Sequence, residues 1–505
     1  MTMKWMSQIL LPLSSGHSSK LRDAGTAKII RAGCALWNPN DEKIILLPAG
    51  QKLYSRTRQY LLDALQDFAP QLTDADGSSR GLLDVAVRVV RRSGDLPLLL
   101  AQQRGDRLEL LGLHSDLEAS LDMANDALRT VGRAICSLNV TLRRVDRLTP
   151  QGHAVDLLCS SQFPLRGEEG LICKTCGWLC TADSPFRGGN DEAAKDKKEP
   201  TLKEVATPHC STVDELCRFL KIPKDNVVKT MFYVVEGRGL TAVILRADRR
   251  VCAEKLRAAL RGAPLHPASP QELSAVMGDA AGFMGPVGLP ASVPLVADYS
   301  AVDVSDVAVG ANKKGFHLTG ACWGRDFKTD AVTDLSYVQE GDLCPNCGAT
   351  LQKGELRSIA RFFPIDPACA VEPSLTFFDG REKSHVPAWS ASIDVTALLS
   401  ALMEKNDRWP EELAPYDDYV WWEGDDAPAS ISELAAALEE AGRQCVGDDR
   451  TGIKAVDRAA QARASCAPRL LFLRTEKDLP VVDVTCHGTT ETLPLRDFIG
   501  QVKRS

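Results

Sequence analysis

The chain has 505 residues, 44% hydrophobic and 25% charged, with 60 basic against 67 acidic side chains and a net charge of −7. That length allows about three domains at roughly 150 residues each, and the composition is that of an ordinary globular protein. The negative charge excludes a generally basic nucleic-acid coat, so any RNA contact must come from local Lys and Arg clusters.

No apolar run reaches the roughly 18 residues that span a bilayer. The apolar stretch Met6 to Leu13 lacks a following small-residue cleavage pattern, so neither a membrane span nor a signal peptide is expected. From residue 26 the pattern reads helix, short extended segment, a Pro-Gly turn at Pro48-Ala49-Gly50, then a helix carrying Leu53, Leu61, Leu62, Leu65 and Phe68 on one face. The β-branched run Val85 to Val90 predicts a strand within 81–92. Residues 98–101 and 108–113 predict two more strands about the polar turn Arg104-Gly105-Asp106. Ser115 or Asp116 can cap the helix that follows through Leu121, Ala124, Leu128 and Val131. Such mixed elements imply an α+β core.

Residues 181–204 are polar and charged, a solvated linker and a domain boundary. Beyond it Ser211 or Thr212 can cap a helix through Leu216, Phe219 and Leu220, with Asp214 or Glu215 completing a capping box. Strands at 227–235 and 240–245 and a helix at 253–260 follow. A helix is predicted over about 395–403, and Trp409-Pro410 to Ala414-Pro415 marks a joint. Strands at 419–422, 444–446, 470–473 and 481–484 then alternate with helices at 431–441 and 455–464. That predicts a small α/β domain with a partly parallel sheet.

Sixteen cysteines in a long chain do not suit a secreted disulfide scaffold. Cys136, Cys217 and Cys445 lie singly in periodic apolar segments and read as reduced core thiols of a cytosolic protein. The pairs Cys173-Lys174-Thr175-Cys176-Gly177 and Cys344-Pro345-Asn346-Cys347-Gly348 differ. Each is a zinc-knuckle pattern, and four thiolates from the two would close one tetrahedral structural Zn2+ site. Cys180 and Cys322 read as packing residues. Between the pairs lies a glycine-rich stretch holding Gly282-Phe283-Met284-Gly285-Pro286-Val287-Gly288, Asp298-Tyr299-Ser300, Gly310-Ala311-Asn312, His317 and Trp323-Gly324-Arg325-Asp326. Glycines at that density let the backbone turn tightly and let another group approach closely.

These residues resemble the bacterial-type prolyl-tRNA synthetases. Val227-Val228-Lys229-Thr230-Met231-Phe232-Tyr233 is similar to that family's strand bearing an editing-site lysine, and the glycine segments and His317 are similar to its editing-domain signatures. Asp448-Asp449-Arg450 and Gly452-Ile453-Lys454 resemble its anticodon-binding domain; Arg31-Ala32-Gly33 and Leu47 to Gly50 resemble its first class-defining segment. The resemblance implies an α+β and α/β multidomain fold. In order come a class II synthetase-like antiparallel-sheet core (1–180), the linker (181–204), a YbaK-like mixed α/β editing insertion (205–335), the core remainder with the second Cys pair (336–412) and an anticodon-binding-like α/β domain (413–505).

Site roles follow from the same resemblance. Lys229, Gly285, Asp298 and His317 would serve editing, and Asp449, Arg450 and Lys454 would bind tRNA; the zinc ligands Cys173, Cys176, Cys344 and Cys347 rest on the knuckle spacing instead. The partner would be tRNA, with proline tRNA first, in the cytoplasm and without a membrane; a homodimer is open. Lys229 could instead simply face solvent, His317 be an ordinary hydrogen-bonded histidine, and Asp298 only form a turn.

The departures concern the core. The family's core holds ATP with an Arg-x-Glu pair after a strand, and no Phe-Arg-Asp-Glu-like segment is present here; Arg104 is the only nearby candidate. In Trp389-Ser390-Ala391-Ser392-Ile393-Asp394-Val395 serines replace the family's glycines and Val395 stands where its ATP-binding arginine should be. The Thr-His-Glu-Glu of the proline pocket is missing. Without a guanidinium on ATP, the phosphate charge developed in amino-acid activation has no visible stabiliser. The expectation is a divergent paralogue that hydrolyses mischarged alanyl-tRNA(Pro) with a degenerate aminoacylation core. Two alternatives are a proline–tRNA ligase still using ATP and Mg2+, and a non-catalytic tRNA-binding or regulatory relative.

Overall fold

The computed structural model describes residues 4–5, 22–38, 43–66, 72–74, 82, 86, 96–149, 152–162, 164, 166–187, 200–278, 282–365, 376–378, 383–424 and 426–504. Most of the strand expected within 81–92, the middle half of the linker at 181–204, and Met6 to Leu13 lie outside them. Leu82 and Ala86, which are described, are helical rather than extended. The chain divides into two compact units, one of residues 1–144, 156–168 and 355–505, the other of 145–155 and 169–354.

In the first unit, strand Arg107–Leu113 pairs antiparallel with Leu98–Arg104 on one side and Ala388–Asp394 on the other. Leu98 to Ala101 are wholly buried, as a continuous apolar strand must be when both sheet faces are covered. Trp389 is fully buried and stacks on Phe362 with ring centroids 5.9 Å apart. Helices Ala24–Arg31, Pro48–Gln66, Leu117–Ser137 and Val395–Lys405 belong to this unit. Pro48 opens its helix instead of forming the expected turn, because proline's fixed φ suits a first helical position, where its missing N–H goes unused.

Asp23 carries much of the polar order here. Its carboxylate caps the first helix at Thr26 N (3.1 Å), accepts Ser400 Oγ (2.7 Å) and pairs with Arg357 (3.2 Å), which also reaches Glu404 (3.2 Å). Both Asp23 and Arg357 are buried. Truncating one partner strands the other charge, so Asp23→Ala is expected to lower stability by about 3–5 kcal/mol in urea unfolding, with Asp23→Asn costing less because it keeps the cap.

The same unit contains a six-stranded mixed sheet. Strands Lys4–Trp5, Cys445–Gly447, Asp418–Trp422 and Arg469–Glu476 run parallel, and Leu479–Cys486 and Thr489–Pro494 add an antiparallel hairpin. Val420, Trp422, Leu471 and Leu473 pack under helices Ser430–Glu440 and Leu495–Val502. The expected partly parallel sheet is present, and helix Ala455–Ala464 has the expected bounds.

The second unit holds a five-stranded sheet, in the order Leu265–Pro267, Val228–Val235, Gly239–Arg246, Leu295–Asp298, Ala331–Thr333, and a three-stranded one, Lys203–Ala206, Phe316–Ala321, Val307–Gly310. One core of Val228, Phe232, Ile244, Ala297, Val307, Val309 and Phe327 serves both sheets. Helix Val213–Leu220 begins at a full capping box of Thr212 and Glu215. Among the described cysteines every thiol is free. Cys445 is buried as expected and Cys217 half-buried, but Cys136 is exposed in the last turn of its helix, on the face turned from the core. No helix among the described residues is long and apolar enough to cross a membrane.

Candidate functional site

The glycine segments meet. A Cβ placed on Gly285 would lie 1.9 Å from the carbonyl oxygen of Gly310, and one on Gly310 would lie 2.2 Å from that of Met284. No side chain larger than hydrogen fits at either position, so the 283–288 loop lies directly on the end of strand Val307–Gly310. Asn312, in the left-handed region at φ 52°, locks the loop there. Its side chain accepts from Gly285 N (2.9 Å) and donates to the carbonyls of Gly285 (3.1 Å) and Val287 (2.7 Å), while its backbone N–H donates to Phe283 O (2.9 Å).

His317 stands beside this cradle. It pairs with Gly310 across the antiparallel ladder, and its ring lies 5.4 Å from that of Phe283. The residue is 6% exposed, and Nδ1 shares a 2.6 Å hydrogen bond with the buried Thr207 hydroxyl. Nε2 has no hydrogen-bond partner among the described residues. Burial pushes the imidazole down to about 4, so it is neutral at physiological pH. The unfolded chain therefore holds the extra proton between about pH 6.5 and 4. Stability from a neutral His317 is full above that range and is lost as pH falls through it. His317→Gln is expected to flatten the acid side of a melting-temperature profile between those limits.

The sequence does not by itself mark Thr207, Phe283 or Asn312: Phe283 and Asn312 lie inside the glycine segments, whereas Thr207 is 110 positions from its partner and carries no local signal.

The other two expected site residues lie elsewhere in the unit. Lys229 projects from strand Val228–Val235, and Nζ donates to the carbonyls of Ala247 (3.1 Å) and Arg249 (2.5 Å); burial pushes its ammonium below the usual lysine range. Asp298 is 2% exposed. It accepts Ser300 N (2.9 Å) and Ser300 Oγ (2.5 Å), capping the short helix Tyr299–Val302, and Leu335 N (2.8 Å). Ser300 in turn accepts Arg246 N (3.2 Å). Asp298 lines a cleft of about 230 Å³ with Arg246 and Arg249, not the Gly285–His317 cradle. The structure thus joins Gly285 to His317, and Lys229 and Asp298 to the 246–249 turn.

A sequence model of a domain family described as aminoacyl-tRNA editing domain matches residues 207–327, the segment that contains all of these groups. Proline–tRNA ligase of Moorella thermoacetica is 32% identical over 304 residues, 58% of this chain and 52% of that protein. The ligase of Dehalococcoides mccartyi is 33% identical over 294 residues, 56% of this chain and 51% of that one. That of Streptococcus pneumoniae serotype 2 is 32% identical over 337 residues, 59% and 54%. This chain is a relative of the bacterial-type proline–tRNA ligases and carries an aminoacyl-tRNA editing domain. It spans about half the length of these curated relatives.

The editing domain's compact unit also contains both cysteine pairs. Cys173 N donates to Trp178 O (2.7 Å) and Cys344 N to Ala349 O (2.8 Å); Gly177 and Gly348 take φ 72° and 73°, so the two knuckles have the same form. Sγ of Cys173 lies 3.4 Å from that of Cys347, and Cys176 lies 3.7 Å from Cys344, with all four sulfurs within 4.8 Å. Zn–S bonds of about 2.3 Å in a tetrahedron place sulfurs about 3.8 Å apart, so the donor set fits zinc. Hydrogen bonds from the Asn346 side chain and the Trp178 backbone hold the Cys176 thiol down at about 6.

Of the residues expected to bind tRNA, Arg450 is paired through Nη2 with buried Asp448 (2.7 Å), which also accepts Tyr419 Oη (3.0 Å). Asp449 is half-buried, and exposed Lys454 stands at the N-terminus of helix Ala455–Ala464. In the core, Arg104 lies 3.8 Å from Glu109, and Val395 is fully buried.

Proposed function

We propose that this chain hydrolyses the ester joining alanine to proline tRNA, using the editing domain. The observation that carries the reading is the Gly285–Gly310 contact, which packs the 283–288 loop on strand Val307–Gly310 too closely for any added side chain, beside a neutral, buried His317. Discrimination by one small apolar difference yields only about 1–3 kcal/mol in a synthetic pocket, so a second hydrolytic site sized for alanine is the chemical remedy. In this reading His317 Nε2 orients the ester or the attacking water, and backbone groups of 283–288 hold the amino acid. Lys229 and Asp298 hold the 246–249 turn, where Lys229 meets the terminal phosphate or ribose.

Several contacts support a core that does not activate proline. Val395, at the position of the family's ATP-binding arginine, donates its backbone N–H to Asp106 O (2.9 Å). Arg166 lies 2.5 Å from the carboxylate of Asp106 and 3.8 Å from that of Asp394. The Arg166 guanidinium is thus engaged by carboxylates rather than free to face a triphosphate. The class II core and the anticodon-binding-like domain would serve to hold tRNA in the cytoplasm, and the four cysteines would hold a structural zinc ion.

The test is release of alanine from alanyl-tRNA(Pro) by the purified full chain, beside a proline-dependent pyrophosphate exchange assay. Ester hydrolysis without exchange is expected. Exchange at ligase-like rates would restore the ligase reading, and neither activity would leave the non-catalytic one.

A further inference from the structure

We infer that the cysteine cluster is a zinc centre that controls the Lys229 side of the editing site, through an ion pair leading out of the second knuckle. The inference rests on the editing reading for its functional consequence, but the coupling itself is a property of this unit. Asp342 lies two residues before Cys344 and is buried. Its carboxylate takes both Nη atoms of Arg249, at 2.8 and 2.5 Å, and also accepts Gln339 N (2.9 Å). Its backbone oxygen accepts Leu351 N (2.8 Å) from the far side of the knuckle, where Leu343 and Thr350 form a bridge. Asp342 is thus fixed by the hairpin that presents Cys344 and Cys347.

Arg249 continues the chain of contacts. Its carbonyl is one of the two that receive Lys229 Nζ, and the other belongs to Ala247, two residues earlier. Arg246 N bonds Ser300, which Asp298 holds. The route therefore runs from the metal-binding thiols through the Asp342–Arg249 fork to Lys229 and Asp298. A second anchor runs beside it: Tyr337 N donates to Arg250 O (3.0 Å) and Val251 bridges Ser336. The segment leaving the first knuckle joins the same strap, since Val338 N donates to Ala182 O (2.8 Å), six residues beyond Cys176.

A bidentate Arg–carboxylate fork is geometrically exacting, so it holds the 246–249 turn only while the residue bearing the carboxylate is itself fixed. The knuckles flank the paired strands Gly167–Ile172 and Gln352–Ile365, but that pairing stops short of the sulfur-bearing turns; thiols packed at this distance gain little from one another, whereas zinc bonds all four and fixes the turns themselves. With the metal removed, the 341–351 hairpin loosens, Asp342 loses its fixed position, and the two carbonyls that seat Lys229 become mobile. The His317 cradle has its own anchors at Asn312 and Thr207 and stays ordered. Zinc therefore acts on the tRNA-end side of the site and not on the alanine pocket.

The experiment uses the full chain, as purified with zinc and after stripping with a chelator, read by zinc analysis and by amide hydrogen exchange. One zinc per chain is expected. Stripping should speed exchange at 245–250 at least about tenfold while leaving 316–321 unchanged, by the local-opening logic of exchange. Asp342→Ala should keep its zinc yet exchange at 245–250 like the stripped protein. A chain without zinc, or stripping that leaves 245–250 unchanged, would overturn the inference. So would an Asp342→Ala variant with wild-type exchange there. Loss of coupling beside intact ester hydrolysis refutes only this inference, whereas coupling without hydrolysis refutes only the editing reading.

Discussion

Gly285→Leu is expected to reduce hydrolysis of alanyl-tRNA(Pro) by about 100-fold or more. Even the first carbon of the new side chain would lie 1.9 Å from Gly310 O, so the 283–288 loop must lift from strand Val307–Gly310. Lifting it breaks the Asn312 clamp, with its three side-chain bonds to Gly285 and Val287. A displacement of about 1 Å in a positioning element can by itself cost about 100-fold in rate. The same loop supplies a control. Gly288 has φ 74° but nothing within 4 Å of an added Cβ, so Gly288→Ala meets only backbone strain of about 1–2 kcal/mol. Single-turnover assays should separate the two sharply: a large loss at Gly285, little at Gly288. Equal activity in both would mean that the glycine contact does not shape the pocket.

The second large effect concerns the cysteines. Cys344→Ser is expected to remove bound zinc and to lower the melting temperature of the editing unit, leaving the other unit's transition in place. Structural zinc contributes apparent binding energies of about 10–16 kcal/mol in small zinc domains, and part of that is folding energy here because the site unites Cys173 and Cys176 with Cys344 and Cys347. Calorimetry with elemental analysis reads both quantities. An unchanged editing-unit transition in a zinc-free variant would show that the cluster packs without metal.

How far the sequence carries this reading depends on the range of the signal. Local chemistry was legible: Thr212 with Glu215 forms the expected capping box, and the alternation after residue 417 gave the α/β sheet. The doubled CxxCG spacing brought four sulfurs together across the unit. Pro48 misled because Pro-Ala-Gly suits a turn and a helix start equally well until the following apolar face is packed. The site was half legible. Glycine density flagged Gly285, but nothing local says that Gly285 touches Gly310, or that Thr207 meets His317 where Thr207 N bonds Gly315 O (2.7 Å). Lys229 is marked only by the family resemblance, and Asp298 only by its place in the glycine-rich stretch. Their carbonyl and backbone N–H partners have no side-chain identity for a sequence to reveal.

One rate tests the editing activity most directly: single-turnover hydrolysis of alanyl-tRNA(Pro) by the zinc-loaded full chain in the absence of ATP. Ester loss well above the spontaneous rate, abolished by Gly285→Leu and with prolyl-tRNA(Pro) spared, is the expected result. Ester loss no faster than in buffer alone, from protein that is folded and metal-loaded, would contradict it.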